Sequence, residues 1–160
     1  ALENCGYADN LLSVDQKIDS KYINDVWETD LVESLQKAGK GAIWSQRSAD
    51  SADDANTRAK TLGIDTSNLG GLIAANIGAI VKRTLDRTNI GTLIVFGGDT
   101  LLGIADALDC HLVRPVTEIV PGIALARFVN DSYGFDVVTK AGGFGGEDVV
   151  GDIEQFLARL

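Results

Sequence analysis

Two glycines, an aspartate and a threonine stand where an apolar run ends in the middle of the chain. Residues 92–100 read TLIVFGGDT, and a second apolar run, LLGIADAL, follows. Gly97 and Gly98 have no Cβ, so the amide N–H groups of a strand-to-helix turn can converge there on an anion. A helix that begins near Asp99 or Thr100 would direct the positive end of its dipole at the same point. We therefore predict a phosphate site, in which Asp99 could hold Mg²⁺ through water and Thr100 could donate its hydroxyl group.

A second glycine-rich segment follows the apolar run FDVVT. Residues 140–146 read KAGGFGG, which gives one cation and four glycines ahead of an apolar segment with helical spacing. Such a concentration of glycine costs backbone entropy unless another group must approach closely. We predict that Lys140 is a counter-charge for phosphate and that Gly142 and Gly143 form a loop opposite the first turn. The alternative is structural: two tight turns, with Asp99 as a helix cap and Lys140 as a solvated strand end.

The hydrophobic pattern alternates between short extended runs and amphipathic helices. Strands connected by helices form mainly parallel sheets, so the pattern predicts a three-layer α/β fold with a mostly parallel sheet, helices on both faces and some antiparallel edge strands. In such folds ligands bind at the carboxyl ends of the strands, where both glycine-rich turns would lie. The predicted strands are 11–15, 41–45, 92–96 and extended segments on both sides of a Pro121–Gly122 turn; the predicted helices are 25–38, 52–62, 69–85, 101–109 and 149–160.

Composition excludes several classes of partner. The 160 residues carry 14 basic and 23 acidic side chains, a net charge of −9, so nucleic acid and anionic membrane surfaces are not expected partners. No apolar run is long enough to span a membrane, and the two cysteines are far apart, which favours a cytoplasmic protein with free thiols. His111, the only histidine, has no nucleophile at recognisable spacing, so we expect no catalytic triad.

The glycine spacing and the absence of methionine each add one expectation. Neither turn has the G-x-G-x-x-G or the G-x-x-x-x-G-K-[ST] spacing, which disfavours a dinucleotide fold and a P-loop. The sequence contains no methionine. We expect residues 1–160 to form a single domain that belongs to a longer protein.

Three motifs in order resemble one known family. GGDT at 97–100, EIVPG at 118–122 and VTKAGGFG at 138–145 are similar to the carboxy-terminal nucleotide-binding domain of the four-carbon acid sugar kinases, long catalogued as a domain of unknown function. The resemblance implies ATP-dependent phosphorylation of a tetronate or 2-oxo-tetronate, assisted by Mg²⁺. It places ATP phosphates against Gly97, Gly98, Asp99 and Thr100, with Gly142 and Gly143 opposite them, and Lys140 holds the lysine position of the family.

The resemblance also implies a missing part. The amino-terminal half of these kinases binds the sugar acid and is expected to supply the catalytic base, so residues 1–160 alone should bind nucleotide without turning over substrate. The catalytic residue, the sugar acid and the oligomeric state, with a homo-oligomer left open, are not assigned by the sequence. Two other functions stay open: a non-catalytic nucleotide-binding or regulatory module and, less favoured, a lipid or dinucleotide kinase related through the GGD turn.

Overall fold

A computed structural model describes residues 6–45, 50–140, 142–146 and 148–160, and six helices and six strands lie in this part of the chain. The strands are β1 (Ala8–Leu11), β2 (Gly41–Trp44), β3 (Thr92–Phe96), β4 (Val113–Val120), β5 (Ile123–Val129) and β6 (Gly134–Lys140). The helices are α1 (Val14–Ile18), α2 (Asp25–Ala38), α3 (Asp50–Thr61), α4 (Leu69–Leu85), α5 (Gly98–Ala107) and α6 (Val149–Leu157). Residues 46–49, which connect β2 to α3, lie outside the described residues.

The strands form two sheets. Strands β3, β6, β5 and β4 lie side by side in that order, with β3 parallel to β6 and the other neighbours antiparallel. A separate parallel pair is formed by β1 and β2. The predicted α/β fold is therefore confirmed, and its antiparallel strands, β5 and β4, lie at one edge as expected. The described sheets contain two parallel and two antiparallel strand pairs, so the sheet is mixed rather than mostly parallel, because β4, β5 and β6 follow one another through short connections.

Helices cover both faces of the four-stranded sheet. On one face α4 and α5 pack over a core that includes Ile80, Ile104 and Val95, and on the other face α6 packs through Ile153 against Val138. The two helices of the first face are in close contact, since a Cβ built on Gly78 of α4 would stand 2.1 Å from the carbonyl oxygen of Gly103 in α5. This contact fixes α5, and with it the turn from which α5 begins.

Two predicted boundaries differ from the structure. The strand predicted at 11–15 is wrong beyond Leu11, because Ser13 and Gln16 form a reciprocal capping box that begins the helix α1. The helix predicted at 101–109 instead begins at Gly98, directly after Gly97. The remaining predicted helices agree within a few residues, and α2 is capped at Asn24 and ended by Gly39 in the left-handed conformation, as its sequence predicts.

Candidate functional site

Both glycine-rich turns leave the sheet at neighbouring positions. Strands β3 and β6 are parallel, and their last paired residues are Phe96 and Lys140. The turn Gly97–Thr100 therefore begins beside the segment Lys140–Gly146, at one end of the sheet that we call the rim. The structure confirms the expectation that the two turns lie at adjacent carboxyl ends of strands.

The Pro121–Gly122 turn lies at the same rim. Ile123, the first residue of β5, pairs with Lys140, the last residue of β6, so the turn that precedes Ile123 stands next to the second glycine-rich segment. Glu118 closes this turn, because its Oε1 accepts a hydrogen bond of 3.0 Å from the amide of Gly122. All three motifs that carry the family resemblance thus meet at one place.

The first turn presents the amino-terminal end of α5. Gly97 adopts φ of 102°, a conformation that glycine tolerates and other residues rarely adopt, and the helix begins at the next residue. Leu101 makes the first helical hydrogen bond, to the carbonyl of Gly97. The amides of Gly98, Asp99 and Thr100 therefore have no partner within the helix, and no side chain from the N-cap position bonds to them among the described residues.

The space in front of this helix end is open. A Cβ built on Gly98 meets no described atom within 4 Å, and Gly98 and Asp99 are exposed. The amide of Gly97 has a different role, because it donates to the carbonyl of Lys140 at 3.4 Å and continues the pairing of β3 with β6. The alternative in which Asp99 caps the helix is wrong: Gly97 is the N-cap residue, and Asp99 is the second residue of α5. Three amides and the helix dipole are thus directed at open space in which an anion would be favourable.

The ammonium group of Lys140 contacts the second glycine-rich segment and lies over Phe96, the residue before the first turn. Its Nζ donates to the carbonyl of Gly142 at 2.5 Å and stands 5.8 Å from the centroid of the Phe96 ring on the neighbouring strand. A lysine ammonium has three donors, so the bond to Gly142 leaves two donors for another acceptor. The structure brings Lys140 to the same rim as the amides of α5, which is the arrangement expected for a phosphate counter-charge.

The second segment is anchored through one aromatic side chain. A Cβ built on Gly122 would lie 2.4 Å from Cγ of Phe144, which shows how closely the Phe144 ring covers the Pro121–Gly122 turn. Gly142 and Gly143 are exposed, with no described atom within 4 Å of a built Cβ. Ala141 and Glu147 lie outside the described residues. The segment is therefore held to the rim at Phe144, while Gly142 and Gly143 face open space.

Two helices begin at this rim, because α6 follows the second segment as α5 follows the first. The N-cap position of α6 is Asp148, whose side chain makes no capping hydrogen bond in the described part of the chain. Both helix dipoles thus have their positive ends near the glycine-rich segments. A site between the two turns would be favourable for an anion despite the net negative charge of the protein.

The sequence interpretation missed two aromatic residues at the rim. Phe96 precedes the first turn and Phe144 lies inside the second segment, with exposed fractions of 40% and 56%. Aromatic residues directly before GGDT and within GGFGG were the available signal. Exposed aromatic rings beside an anion site give a base or a sugar ring an apolar surface to contact.

Other candidate residues lie elsewhere. His111 follows α5, is exposed, and lies 3.8 Å from Asp106 and 3.3 Å from Asp109, which agrees with a surface histidine. Cys110 is a free thiol that is completely buried, and burial raises its pKa; Cys5 lies outside the described residues. No group of three or more histidine, cysteine, aspartate or glutamate side chains that could hold a metal ion occurs in the described ranges. Asp99, the predicted partner of Mg²⁺, is exposed at the first turn, and its role toward the metal stays a prediction.

None of the described helices combines the length and hydrophobicity needed to cross a lipid bilayer. The cytoplasmic location stays a prediction from the sequence.

Comparison with known proteins gives a family and several relatives. Residues 8–150 match a family described as the nucleotide-binding C-terminal domain. The D-threonate kinase of Salmonella typhimurium (strain LT2) is 30% identical over 93 residues, which are 58% of this chain and 22% of the kinase. The D-threonate kinase of Bordetella bronchiseptica is 28% identical over 139 residues, 73% of this chain and 34% of the kinase. The chain thus spans about a fifth to a third of the length of these relatives.

Solved structures with the same fold are also longer than this chain. A Bordetella bronchiseptica protein from a domain family of unknown function, solved with bound citrate as a domain-swapped dimer, superposes with a TM-score of 0.68 at 23% identity, over 96% of this chain and 35% of that chain. A Haemophilus influenzae protein of the same family superposes with a TM-score of 0.71 at 15% identity, over 96% of this chain and 35% of that chain. These similarities establish the fold.

Proposed function

Because the chain belongs to the family of nucleotide-binding C-terminal domains, we propose that it binds ATP with Mg²⁺ and forms the nucleotide-binding part of a kinase that phosphorylates a four-carbon sugar acid. The observation that carries the proposal is the position of the two glycine-rich turns. They leave adjacent parallel strands, Phe96 and Lys140 being the last pair, and the first turn presents an open helix terminus. Relatives named D-threonate kinase support the kinase class and the four-carbon acid.

Several residues at the rim would bind the phosphates, each through a different contact. In this proposal the amides of Gly98, Asp99 and Thr100 donate to phosphate oxygens, which a helix terminus favours by charge and by geometry. Lys140 keeps its bond to Gly142 and directs a remaining donor at the phosphates. Asp99 holds Mg²⁺ through water, and the metal neutralises charge on the phosphates during transfer. The exposed face of Phe96 or Phe144 contacts the base or the ribose.

Turnover requires more polypeptide than residues 1–160. We propose that the sugar acid and the catalytic base belong to a substrate-binding domain outside this stretch, since the chain spans only 22% and 34% of the two kinases it matches. Pre-positioned amides cannot by themselves activate a substrate hydroxyl group, which needs a base within hydrogen-bond distance. We also propose a homo-oligomer, because a Bordetella bronchiseptica relative of the same fold was solved as a domain-swapped dimer.

Titration calorimetry tests the proposal directly. The purified chain is titrated with ATP in the presence and absence of Mg²⁺, and with adenosine as a control that lacks phosphates. We expect saturable ATP binding that strengthens with Mg²⁺, and much weaker binding of adenosine. Binding of ATP and adenosine with equal affinity, or no binding of either, would contradict a phosphate site at the rim.

A second measurement separates a kinase from a regulatory module. A longer natural form of the protein, carrying polypeptide beyond residues 1–160, is incubated with Mg²⁺·ATP and D-threonate, and ADP is followed. We expect ADP formation that depends on the sugar acid. ATP binding without ADP formation over a panel of four-carbon sugar acids would favour the non-catalytic module.

A further inference from the structure

The contacts of Lys140 differ from those of the other lysines that lie over aromatic rings. Lys21, Lys40 and Lys82 each have Nζ within 5.1 Å, 5.4 Å and 5.4 Å, respectively, of the centroid of a tyrosine ring. Each of them also forms an ion pair with a carboxylate, at 2.6 Å, 2.5 Å and 3.4 Å. Lys140 lies over the ring of Phe96 at 5.8 Å and forms no ion pair with any described residue.

The ammonium group of Lys140 therefore keeps its positive charge available at the rim. Its Nζ is held by the carbonyl oxygen of Gly142 and by the face of the Phe96 ring. Neither contact neutralises the charge, because a carbonyl group and an aromatic ring carry no net charge. An added anion would find an ammonium group that is already placed and that no described carboxylate occupies.

Strand pairing brings the ring and the lysine together. Phe96 and Lys140 are paired at the end of the parallel strands β3 and β6, so their side chains lie on the same face of the sheet. Ile94 and Val138, the paired residues two positions earlier, belong to the hydrophobic cluster under α6. Phe96 and Lys140 continue this face beyond the buried core, and the pairing of the two strands keeps the ring beside the lysine side chain.

A ring and a carboxylate would affect phosphate binding in opposite ways. A carboxylate accepts the hydrogen bonds of an ammonium group and neutralises it, so it competes with a phosphate group. An aromatic face attracts the cation through its quadrupole and does not compete as a charged acceptor. Ordering a flexible lysine side chain costs conformational entropy, and a ring that orders it before the anion arrives reduces this cost on binding.

We propose that Phe96 is a positioning residue, whose ring face holds the ammonium group of Lys140 ready to bind a phosphate group at the rim. This role rests on the proposed phosphate site and deepens it. It also distinguishes the two exposed aromatic residues of the rim. Phe96 acts on the phosphates through Lys140, which leaves Phe144 to contact the base or the ribose.

Calorimetry with three ligands tests the proposal in the presence of Mg²⁺. The ligands are ATP, inorganic tripolyphosphate, which has no base or ribose, and adenosine, which has no phosphates. Phe96→Leu should weaken the binding of ATP and of tripolyphosphate by about threefold to fivefold and leave adenosine binding unchanged. Phe96→Tyr keeps the ring face and should bind all three ligands as the parent does. Phe156→Leu, near the carboxyl end of α6, is the matched control.

A double variant tests whether the ring acts through the lysine. In a chain that already carries Lys140→Ala, adding Phe96→Leu should cause no further loss of ATP or tripolyphosphate affinity. Three results would overturn the role of Phe96: additive losses in the double variant, an equal loss of ATP and adenosine binding in Phe96→Leu, or unchanged affinity of Phe96→Leu for ATP and tripolyphosphate. An equal loss of ATP and adenosine binding would assign the ring to the base instead.

NMR of the protein without ligand tests the contact separately. The Cε protons of Lys140, assigned with Lys140→Arg, should resonate upfield of their position in Phe96→Leu, because they lie over the ring, and should keep this shift in Phe96→Tyr. Phe96 is 40% exposed, so the fold should tolerate both changes. Identical Lys140 signals in the parent and in Phe96→Leu would contradict the proposal whether or not ATP binds. A parent protein that binds neither ATP nor tripolyphosphate would instead contradict the phosphate site itself, and with it the role of Phe96.

Discussion

The two glycine-rich turns differ in how they are held. The first, Gly97–Thr100, passes from β3 directly into α5, and its conformation is set by the positive φ of Gly97 and by the packing of α5 against α4. The second is longer, and the structure anchors it at Phe144 and by the bond from Lys140 to Gly142. The first turn is therefore continuous with a closely packed helix, and the described part of the second is fastened at a few points.

This difference indicates a division of roles. A helix terminus held by packing keeps its amides in place before an anion arrives, so we expect little ordering to be required on binding. Among the described residues, the longer second segment is held through Phe144 and Lys140, so we expect it to adjust more readily to a bound molecule. We expect changes in the first turn to have the largest effect on ATP affinity. Changes in the second segment should affect the free energy of unfolding or the attraction between Lys140 and the phosphates.

The largest effect is expected for Gly98→Val. The added side chain occupies the open space in front of α5, where the phosphates would lie, and φ at Gly98 is not left-handed, so the fold should tolerate it. ATP affinity should fall by about 100-fold or more, while the melting temperature of the free protein changes little. Calorimetry and thermal unfolding measure the two quantities. Gly134→Val, at the opposite end of the sheet, is the control. Normal ATP binding by Gly98→Val would show that the first turn is only a structural connection.

Gly122→Ala should lower the stability of the fold and should leave the first turn unchanged. Gly122 has φ of 78° and its Cβ would overlap Phe144, so the change should cost about 1–3 kcal/mol in free energy of unfolding. The double variant Gly122→Ala/Phe144→Ala removes the overlap and keeps the cost of the positive φ. Urea unfolding of both variants and of Phe144→Ala separates the two contributions. Additive losses would show that Phe144 does not anchor the second segment on Gly122.

Lys140→Ala should weaken ATP binding by about tenfold, because one charge-assisted hydrogen bond to phosphate is lost. Adenosine binding should not change, and the difference between variant and parent should shrink as salt concentration rises. Lys37→Ala, an exposed lysine on α2, controls for the loss of one positive charge. Equal losses for ATP and adenosine would place Lys140 away from the phosphates.

Asp99→Asn should give the smallest change in ATP affinity. If Asp99 holds Mg²⁺ through water, ATP affinity should fall about threefold in Mg²⁺ and should stay equal or rise in its absence, since a negative charge near the phosphates is removed. Asp131→Asn, an exposed aspartate in the β5–β6 connection, is the control. A loss of ATP affinity that is the same with and without Mg²⁺ would argue against the metal role.

Much of this fold could be predicted because its signals are local. The spacing of Leu69, Ile73, Ile77 and Ile80 predicts α4, and Asn24 and Gly39 predict both ends of α2. The error at residues 11–15 also arises from a local signal. The apolar residues of this run predict a strand, whereas Ser13 and Gln16 form a capping box that begins a helix. Short apolar runs fit a strand or a helix equally well until a cap or a pairing partner decides between them.

The candidate site was predictable in its residues and only partly in its geometry. GGDT and KAGGFGG are visible as glycine-rich turns, but the bond from the Gly97 amide to Lys140, the anchoring of Phe144 on Gly122 and the place of Phe96 depend on contacts between distant segments. Side-chain contacts of this kind follow from which strands are neighbours, and local sequence does not encode that order.

The sequence by itself determined most of the elements, the two glycine-rich turns and the family to which the chain belongs, because periodicity, caps and motifs are properties of neighbouring residues. Only the tertiary structure decided that β6 pairs with β3, although β4 and β5 come between them in the chain, and that β2 and β3 line the same cavity. Strand order is set by long-range pairing and by the burial of both sheet faces, and many orders are compatible with the same local pattern.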